Sequence, residues 1–368
     1  MKLVLTGGHH SSAMPIIKFL QENNPEVQMF WLGHKHSMKG DKNYTLEYRE
    51  ITTSGIPFYE LKAGKFYRTF SLIHWLKIPF GFFQALYLLL KLKPDLIMSF
   101  GGYLAVPVVI AGKVLNIPFL THEQTVTTGY ANNLIGKFAD KIFVSWHESV
   151  AFFPREKVIF SGIPLRESIF NITTSNFSSS NELPYILIIA GKTGSVMIND
   201  VIFDLLETLL GKYNVIHQCG DHSEFKSYDA LSEKYSRIKD KFPGQYFLKK
   251  FIFEDEIGEA YGRASVVVSR AGAHTIAELN ALNKKCVLIP ISWVSHNEQF
   301  KNAQILKERG LAQIVQETEL TSENLLSAIE NRMHTSTEQT DVSNTFAEDS
   351  LNSVKIITNE ILTYKKKE

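Results

Sequence analysis

Short, almost purely apolar runs alternate along the chain with longer stretches in which apolar residues recur every three or four positions. In the first half the runs lie at 2–8, 27–33, 96–102, 118–123 and 141–146, with helical patterns between them such as 13–22, 80–92 and 106–115. The second half repeats the scheme with runs at 185–194, 213–221, 247–252, 264–272 and 286–291. Apolar strands separated by helices are typical of parallel sheets covered on both faces. The pattern therefore predicts an α/β fold of two Rossmann-like, doubly wound domains that face each other across a cleft.

A polar stretch separates the two halves of this pattern. Residues 171–184, NITTSNFSSSNELP, are rich in Ser, Thr and Asn and show no periodicity. Such a composition buries too little apolar surface to fold alone, and it indicates a linker. A chain of 368 residues is also long enough for two hydrophobic cores. The predicted organisation is a first domain at 1–166, a linker at 167–184, a second domain at 185–345, and a final helix at 350–368 that packs back on the first domain.

Composition and charge exclude several classes of protein. The formal net charge is +1, which gives no general reason to expect a nucleic-acid partner. The two cysteines, Cys219 and Cys286, lie far apart in sequence, which disfavours a disulfide scaffold or a zinc module and fits a reducing cytoplasm. The opening residues MKLVLTGGHH enter a strand at once and lack the regions of a signal peptide.

One segment is unusually apolar. Residues 66–96, FYRTFSLIHWLKIPFGFFQALYLLLKLKPDL, are dense in Phe, Leu, Tyr and Trp, with basic residues at intervals. The uncharged run at 78–90 includes Pro79 and Gly81 and is shorter than the ~20 residues of a membrane-spanning helix. Two interpretations remain open: a core helix beneath a domain, or an exposed patch around 66–93 that lies on an anionic membrane surface.

Glycines follow four of the predicted strands. They occur in TGGHH (6–10), FGGYLAVP (100–107), AGKTGS (190–195) and SRAGAH (269–274). Glycine lets a backbone approach a ligand closely, and the helix that follows offers free N–H groups to an anion. Any one of these glycines could be a simple turn. Four of them in a strand–turn–helix context favour a ligand that carries phosphate.

Three other patterns are weaker. GKT at 191–193 resembles the end of a Walker A loop, but Ile186 stands where the first glycine is needed. TGGHHSS does not satisfy GxGxxG, so NAD binding has little support. His217, Cys219 and His222 are close in sequence, but one structural strand end explains them more simply than a metal site.

Polar residues after three further strands suggest a site for chemistry. His122 and Glu123 follow an apolar run, and such a pair can do general acid–base work at a cleft. Arg166 follows a strand and a proline turn, where an arginine can bind phosphate through two hydrogen bonds. Glu298 and Gln299 open a helix after a loop, which suits recognition of sugar hydroxyls, although helix capping is the simpler account.

The ordered set of these motifs resembles glycosyltransferase family 28, whose members have the two-domain GT-B fold. The resemblance covers nearly the whole chain. It is carried by TGGH (6–9), GGY (101–103) with Pro107, HEQ (122–124), GIPLR (162–166), the glycine loop 191–194, SRAGA (269–273) with Thr275 and Glu278, and Gln299 with Asn302 and Ala303.

The resemblance implies a reaction and its substrates. It implies inverting transfer of N-acetylglucosamine from UDP-N-acetylglucosamine to the muramyl C4 hydroxyl of lipid I, a polyprenyl-diphosphate acceptor, which gives lipid II for peptidoglycan. It further implies no cofactor, no bound metal, and a peripheral location on the cytoplasmic face of the cell membrane.

The same resemblance assigns roles to residues. Glu278 would accept from the ribose hydroxyls, Arg166 and the loop at 191–195 would stabilise the diphosphate, and His9 would take the acceptor proton. The implied catalytic residues are His9, His122 and Glu123. The implied substrate-binding residues are Gly7, Gly8, Tyr103, Gln124, Thr125, Arg166, Gly191, Lys192, Thr193, Gly194, Ser195, Arg270, Gly272, Ala273, His274, Thr275, Glu278, Glu298 and Gln299.

The chain departs from the family pattern at several positions. Val4 and Leu5 replace the glycines that usually begin the first loop, and Thr125 replaces the asparagine of HEQN. Lys192 replaces the serine of GGSQG, and Glu298 precedes Gln299 where the family has two glutamines. Three alternatives therefore stay open: a related transferase with another lipid acceptor, a sugar-nucleotide epimerase, and a binding protein without activity.

Overall fold

The computed structural model describes residues 1–36, 44–62, 72–191, 194–221, 226–294, 297–335 and 341–365, with side chains for all of these except 72–78 and 341–351. Contacts divide the chain into two compact units. The first unit is Met1–Leu165 together with Glu348–Glu368, and the second is Arg166–Ala347.

The first unit contains a seven-stranded parallel sheet in the order β3-β2-β1-β4-β5-β6-β7. Its strands are β1 (Lys2–Thr6), β2 (Gln28–Gly33), β3 (Phe58–Glu60), β4 (Leu96–Ser99), β5 (Phe119–Glu123), β6 (Lys141–Val144) and β7 (Val158–Phe160). Its helices are α1 (His10–Asn23), α2 (Leu46–Thr53), α3 (Leu72–Leu92), α4 (Ala105–Val114) and α5 (Tyr130–Phe138).

The second unit contains a six-stranded parallel sheet in the order β10-β9-β8-β11-β12-β13. Its strands are β8 (Tyr185–Ile189), β9 (Asn214–Gln218), β10 (Tyr246–Lys249), β11 (Ala264–Ser269), β12 (Cys286–Leu288) and β13 (Ala312–Ile314). Its helices are α6 (Val196–Leu210), α7 (Ser227–Ile238), α8 (Ile257–Arg263), α9 (Ala273–Ala281), α10 (Glu298–Glu308) and α11 (Ser322–His334). The predicted α/β class with two Rossmann-like domains is confirmed.

Alternation along the central strand shows why the runs are apolar. Leu3 and Leu5 of β1 belong to one core cluster and Val4 belongs to another, and all three are fully buried. Successive side chains of a strand point to opposite faces, so a strand covered on both faces has no position for a polar residue. Each such side chain contributes roughly 1.5–3 kcal/mol through its burial.

Two segments outside the sheets also pack on these units. The segment 167–184, for which the sequence predicts a linker, belongs to the second unit, where Phe177 is fully buried and its N–H donates to Glu259 at 3.1 Å. The last helix, α12, spans Asp341–Thr363. Ile357 and Ile361 of α12 are fully buried in the core cluster that contains Leu3 of β1.

Candidate active site

The first two glycine motifs meet at the carboxyl ends of β1 and β4. Gly8 N–H donates to Gly101 O at 2.9 Å, and Gly7 has a φ of 135°. A Cβ atom added to Gly7 would lie 2.7 Å from the Phe100 carbonyl carbon, so only glycine fits. The sheet thereby brings the predicted residues at 7–8 and 101–103 together, and Tyr103 lies half-buried beside them.

His9 directly follows these glycines and stands at the N-cap position of α1. Burial, with a smaller contribution from His10, lowers the pKa of His9 to about 4. The imidazole is therefore neutral at pH 7 and has a lone pair that can take a proton. This protonation state is the one that the predicted general base needs.

His122 lies inside the first unit. It is 1% exposed, and burial lowers its pKa to about 4. Its Nε2 lies 3.2 Å from Gly162 O and 3.0 Å from the Ser145 hydroxyl, while its Nδ1 has no hydrogen-bond partner. In this structure the ring packs against Phe100 at a centroid distance of 6.3 Å and lines no surface.

Glu123 points to the opposite face of β5 from His122, because successive residues of a strand alternate. Its Oε1 accepts from Thr125 N at 3.0 Å and Oγ1 at 2.8 Å, and its Oε2 accepts from Asn132 Nδ2 at 2.7 Å. Asn132 Oδ1 in turn accepts from Gly102 N at 2.9 Å. Glu123 is 1% exposed, so here it holds the Gly101–Gly102 turn and Thr125 in place.

Gln124 is also held internally. Its Oε1 accepts from the Ser12 hydroxyl of α1 at 2.8 Å, and its carbonyl accepts from Trp146 Nε1 at 3.1 Å. The side chain of Gln124 therefore connects the end of β5 to the first turns of α1, the helix that follows His9.

In the second unit, the loop after β8 wraps around the end of β9. Gly191 and Gly194 have φ values of 77° and 73°, and Gly191 O accepts from Gln218 Nε2 at 2.9 Å. A Cβ atom on Gly194 would lie 2.0 Å from Cys219 O. Lys192 and Thr193, which were predicted to bind the diphosphate, lie outside the described residues, as does His222.

Ser195 caps α6 and contacts Arg270. Its Oγ accepts from Ile198 N at 3.5 Å and from Arg270 Nη2 at 2.8 Å. Both contacts occupy lone pairs, so the hydroxyl hydrogen can be donated to a third partner. Arg270 also donates through Nη1 to Ile289 O at 3.0 Å and pairs with Glu317 at 2.7 Å. Arg270, which the resemblance assigns to substrate binding, is thus held by three internal contacts and braces the loop.

Arg166 and Glu278 were expected to bind different parts of a ligand, and the structure pairs them directly. Arg166 Nε donates to Glu278 Oε1 at 2.9 Å, and the Tyr261 hydroxyl donates to Glu278 Oε2 at 2.9 Å. The Arg166 side chain is 32% exposed and that of Glu278 is 8% exposed. These contacts use the Nε of the guanidinium and one lone pair on each carboxylate oxygen, so within the described residues the two Nη groups can still bind an anion and each oxygen can accept once more.

The remaining residues predicted to bind substrate lie at the starts of α9 and α10. Gly272 caps α9, and a Cβ atom there would meet nothing within 4 Å, which leaves open space beside the first turn. Gln299 Oε1 accepts from Ile291 N at 3.1 Å, and Asn302 Nδ2 donates to Ala271 O at 3.2 Å. The first turn of α9 also contains three residues predicted to bind substrate, Ala273, His274 and Thr275, and α10 begins with Glu298.

Comparison with known families decides how to interpret these strand ends. The model of the glycosyltransferase family 28 N-terminal domain matches residues 6–144, and the model of its C-terminal domain matches residues 185–357. The chain belongs to glycosyltransferase family 28.

Relatives of this family 28 chain cover most of its length. A protein of Bacillus cereus, named UDP-N-acetylglucosamine--N-acetylmuramyl-(pentapeptide) pyrophosphoryl-undecaprenol N-acetylglucosamine transferase 2, is 33% identical over 89% of this chain and 90% of its own. A Lachnospira eligens protein named as the same kind of transferase is 34% identical over 89% of this chain and 90% of its own.

Solved structures show the fold. MurG of Acinetobacter baumannii is 23% identical to this family 28 chain, with a TM-score of 0.69 over 98% of this chain and 99% of that one. A UDP-GlcNAc 2-epimerase of Neisseria meningitidis is 14% identical, with a TM-score of 0.63 over 99% of this chain and 100% of that one. The fold is thus GT-B, and it is shared by transferases and epimerases.

Three residues that the sequence did not single out contact the predicted site residues of this family 28 chain. Asn132, Tyr261 and Glu317 each bind a predicted site residue, but none follows a glycine or a strand end. Their positions depend on how a helix or loop packs over the sheet, which short-range patterns do not show. Among the described residues, no group of three His, Cys, Asp or Glu side chains could hold a metal ion.

Proposed function

We propose that the chain transfers N-acetylglucosamine from UDP-N-acetylglucosamine to the muramyl C4 hydroxyl of lipid I and so makes lipid II for peptidoglycan. The observation that carries this proposal is the match of both family 28 domains together with relatives of about 33% identity over 89% of the chain, whose names state an N-acetylglucosamine transferase acting between UDP-N-acetylglucosamine and N-acetylmuramyl-(pentapeptide) pyrophosphoryl-undecaprenol. The alternative within the family is a transferase with another lipid acceptor.

The second unit supplies the groups for the donor. Glu278 accepts from the ribose hydroxyls through the lone pairs that Arg166 and Tyr261 leave vacant. The Nη groups of Arg166, the Ser195 hydroxyl and the N–H groups at the start of α6 stabilise the diphosphate. Negative charge builds on the diphosphate as the sugar departs, so donors already in place there lower the barrier.

The first unit supplies the groups for the acceptor. His9, neutral because its pKa is about 4, takes the proton of the attacking hydroxyl. Inversion follows because the hydroxyl attacks the sugar carbon from the side opposite to the leaving diphosphate. Glu123 and His122, both buried, act on the acceptor side by holding the backbone around Gly102 and Gly162.

An apolar surface on the first unit fits a polyprenyl-linked acceptor. Phe80, Phe83, Tyr87 and Leu90 of α3 are each more than half exposed, and residues 66–71 lie outside the described residues. In the part of the chain that the structure describes, no helix is long and apolar enough to cross a membrane. We propose that this surface rests on the cytoplasmic face of the cell membrane, with the basic side chains Lys91 and Lys93 near anionic headgroups.

The donor site has a direct test. Glu278→Ala removes the acceptor of the ribose hydrogen bonds, so we expect UDP affinity to fall about tenfold or more in titration calorimetry. Glu308→Ala is the matched control, because it removes a carboxylate from an exposed position of α10. Equal UDP affinity in the two variants, with both folded by circular dichroism, would rule out this role of Glu278.

A further inference from the structure

Tyr261 contacts the carboxylate that the proposed function assigns to the donor's ribose. The Tyr261 hydroxyl lies 2.9 Å from Glu278 Oε2, and Arg166 Nε lies 2.9 Å from the other oxygen. Tyr261 is 1% exposed, so it cannot touch a ligand itself. We infer that Tyr261 is a positioning residue, which fixes the Glu278 carboxylate so that each of its oxygens presents one lone pair to a ribose hydroxyl. This inference rests on the proposed function, since it takes Glu278 as the ribose ligand.

Two donors on different oxygens fix the orientation of the Glu278 carboxylate, which a single donor cannot do. The terminal torsion of a glutamate side chain is broad, so a carboxylate held at one oxygen still rotates about that contact. Arg166 on Oε1 and Tyr261 on Oε2 together define the carboxylate plane. An ionised carboxylate accepts about four hydrogen bonds, so one position on each oxygen is left. Two adjacent hydroxyls, such as those at C2 and C3 of a ribose, match that arrangement.

The hydroxyl of Tyr261 remains a hydrogen-bond donor at neutral pH. Burial, followed by the nearby Glu278 carboxylate, raises the pKa of Tyr261 well above its usual value. The phenol therefore keeps its proton. The Tyr261 hydroxyl therefore donates to the Glu278 carboxylate at any pH near neutrality.

Helix α8 contains Tyr261 and packs against the segment that follows Arg166. A Cβ atom on Gly258 of α8 would lie 1.9 Å from Asn171 O, so the segment that follows Arg166 packs directly on the helix backbone. Glu259 of the same helix accepts from Thr174 Oγ1 at 2.8 Å. Helix α8 therefore supports both donors to Glu278, and its packing sets the distance between the Tyr261 hydroxyl and the Arg166 guanidinium.

The test compares UDP with 2′-deoxy-UDP by titration calorimetry on the full chain. Wild type is expected to prefer UDP by about tenfold or more, because one hydrogen bond to a charged group is lost with the 2′ hydroxyl. Tyr261→Phe removes a single oxygen and should reduce that preference at least about threefold. In turnover the donor KM should rise more than kcat falls.

The matched control is Tyr246→Phe. Tyr246 is 5% exposed and its hydroxyl lies 2.7 Å from His217 Nδ1, away from Glu278. This variant also loses one buried hydroxyl, but its preference for UDP should equal that of wild type. A preference in Tyr261→Phe that equals the control overturns the inference and leaves the ribose role of Glu278 intact. A wild type without any preference overturns that role too, so the two failures are distinguishable.

A comparison of two variants that both lack the Glu278 carboxylate tests the inference if Tyr261→Phe folds poorly. Glu278→Ala and Tyr261→Phe/Glu278→Ala both lack the carboxylate, so neither leaves it without its partner. If Tyr261 acts only through Glu278, the two proteins bind UDP with the same affinity. If the double variant binds at least about threefold more weakly, Tyr261 has another role and the inference is overturned.

Discussion

Asn132 shows how a single side chain connects the parts of the proposed acceptor site. Its amide donates to Glu123 Oε2 at 2.7 Å and its carbonyl oxygen accepts from Gly102 N at 2.9 Å. The side chain also fills the space beside Gly101, where an added Cβ atom would come within 2.5 Å of it. The amide is the right group because it donates on one side and accepts on the other, which neither Asp nor Leu can do.

Replacing this amide by a carboxylate should therefore be costly. Asn132→Asp places a second carboxylate beside buried Glu123, and we expect the free energy of unfolding at pH 8 to fall by roughly 2–4 kcal/mol. Asn133→Asp is the matched control, since Asn133 is the next residue of α5 and is exposed. It should change the free energy by less than about 0.5 kcal/mol. Equal losses in denaturant titrations of the two variants would contradict the role given to Asn132.

At the scale of elements, long apolar runs with terminal glycines were predictable and short edge strands were not. Strands such as β1 and β11 are buried on both faces, so their sequences are nearly pure in apolar residues. The strands β3 and β13 each have three residues, too few to show any periodicity, and the sequence did not predict them. His122 and Glu123 were taken as one acid–base pair, although alternation within a strand already places neighbours on opposite faces.

Helix α3 presents one apolar face outward. Phe80, Phe83, Tyr87 and Leu90 follow a spacing of three, four and three, which places them on one side of the helix. Helix α4 packs beside α3 and exposes Val114. The sequence left a core helix and an exposed patch as alternatives, and the exposure of these four residues favours the patch.

This face should bind anionic membranes. We expect wild type to sediment with vesicles of phosphatidylglycerol and phosphatidylcholine, and the double variant Phe83→Ser/Tyr87→Ser to bind at least about threefold more weakly, because two large apolar contacts are lost. Phe253→Ser is the control, since Phe253 is equally exposed, at 64%, in the second unit. If the double variant binds like this control, the face on α3 does not contact the membrane.

At the scale of the whole molecule, the fold by itself does not choose the reaction. The GT-B architecture is shared with a UDP-GlcNAc 2-epimerase at a TM-score of 0.63, and a fold shared by several chemistries does not define one. The match to both family 28 domains favours transfer. The proposed base for the acceptor, His9, lies in the first unit, and the proposed ligands of the donor lie in the second. The central claim is therefore that the label of the donor sugar reaches a lipid acceptor.

The measurement that tests this claim most directly is transfer of radiolabel from UDP-N-acetylglucosamine to a short-chain lipid I analogue. Wild type should produce a labelled disaccharide lipid. Its rate should be nearly constant from pH 8 to pH 6 and fall only as the pH approaches the His9 pKa of about 4, because the base must be neutral. His9→Ala should lower the rate by roughly 100-fold or more with UDP affinity unchanged. Label that remains in the nucleotide sugar, or appears only in its 2-epimer, would contradict the account.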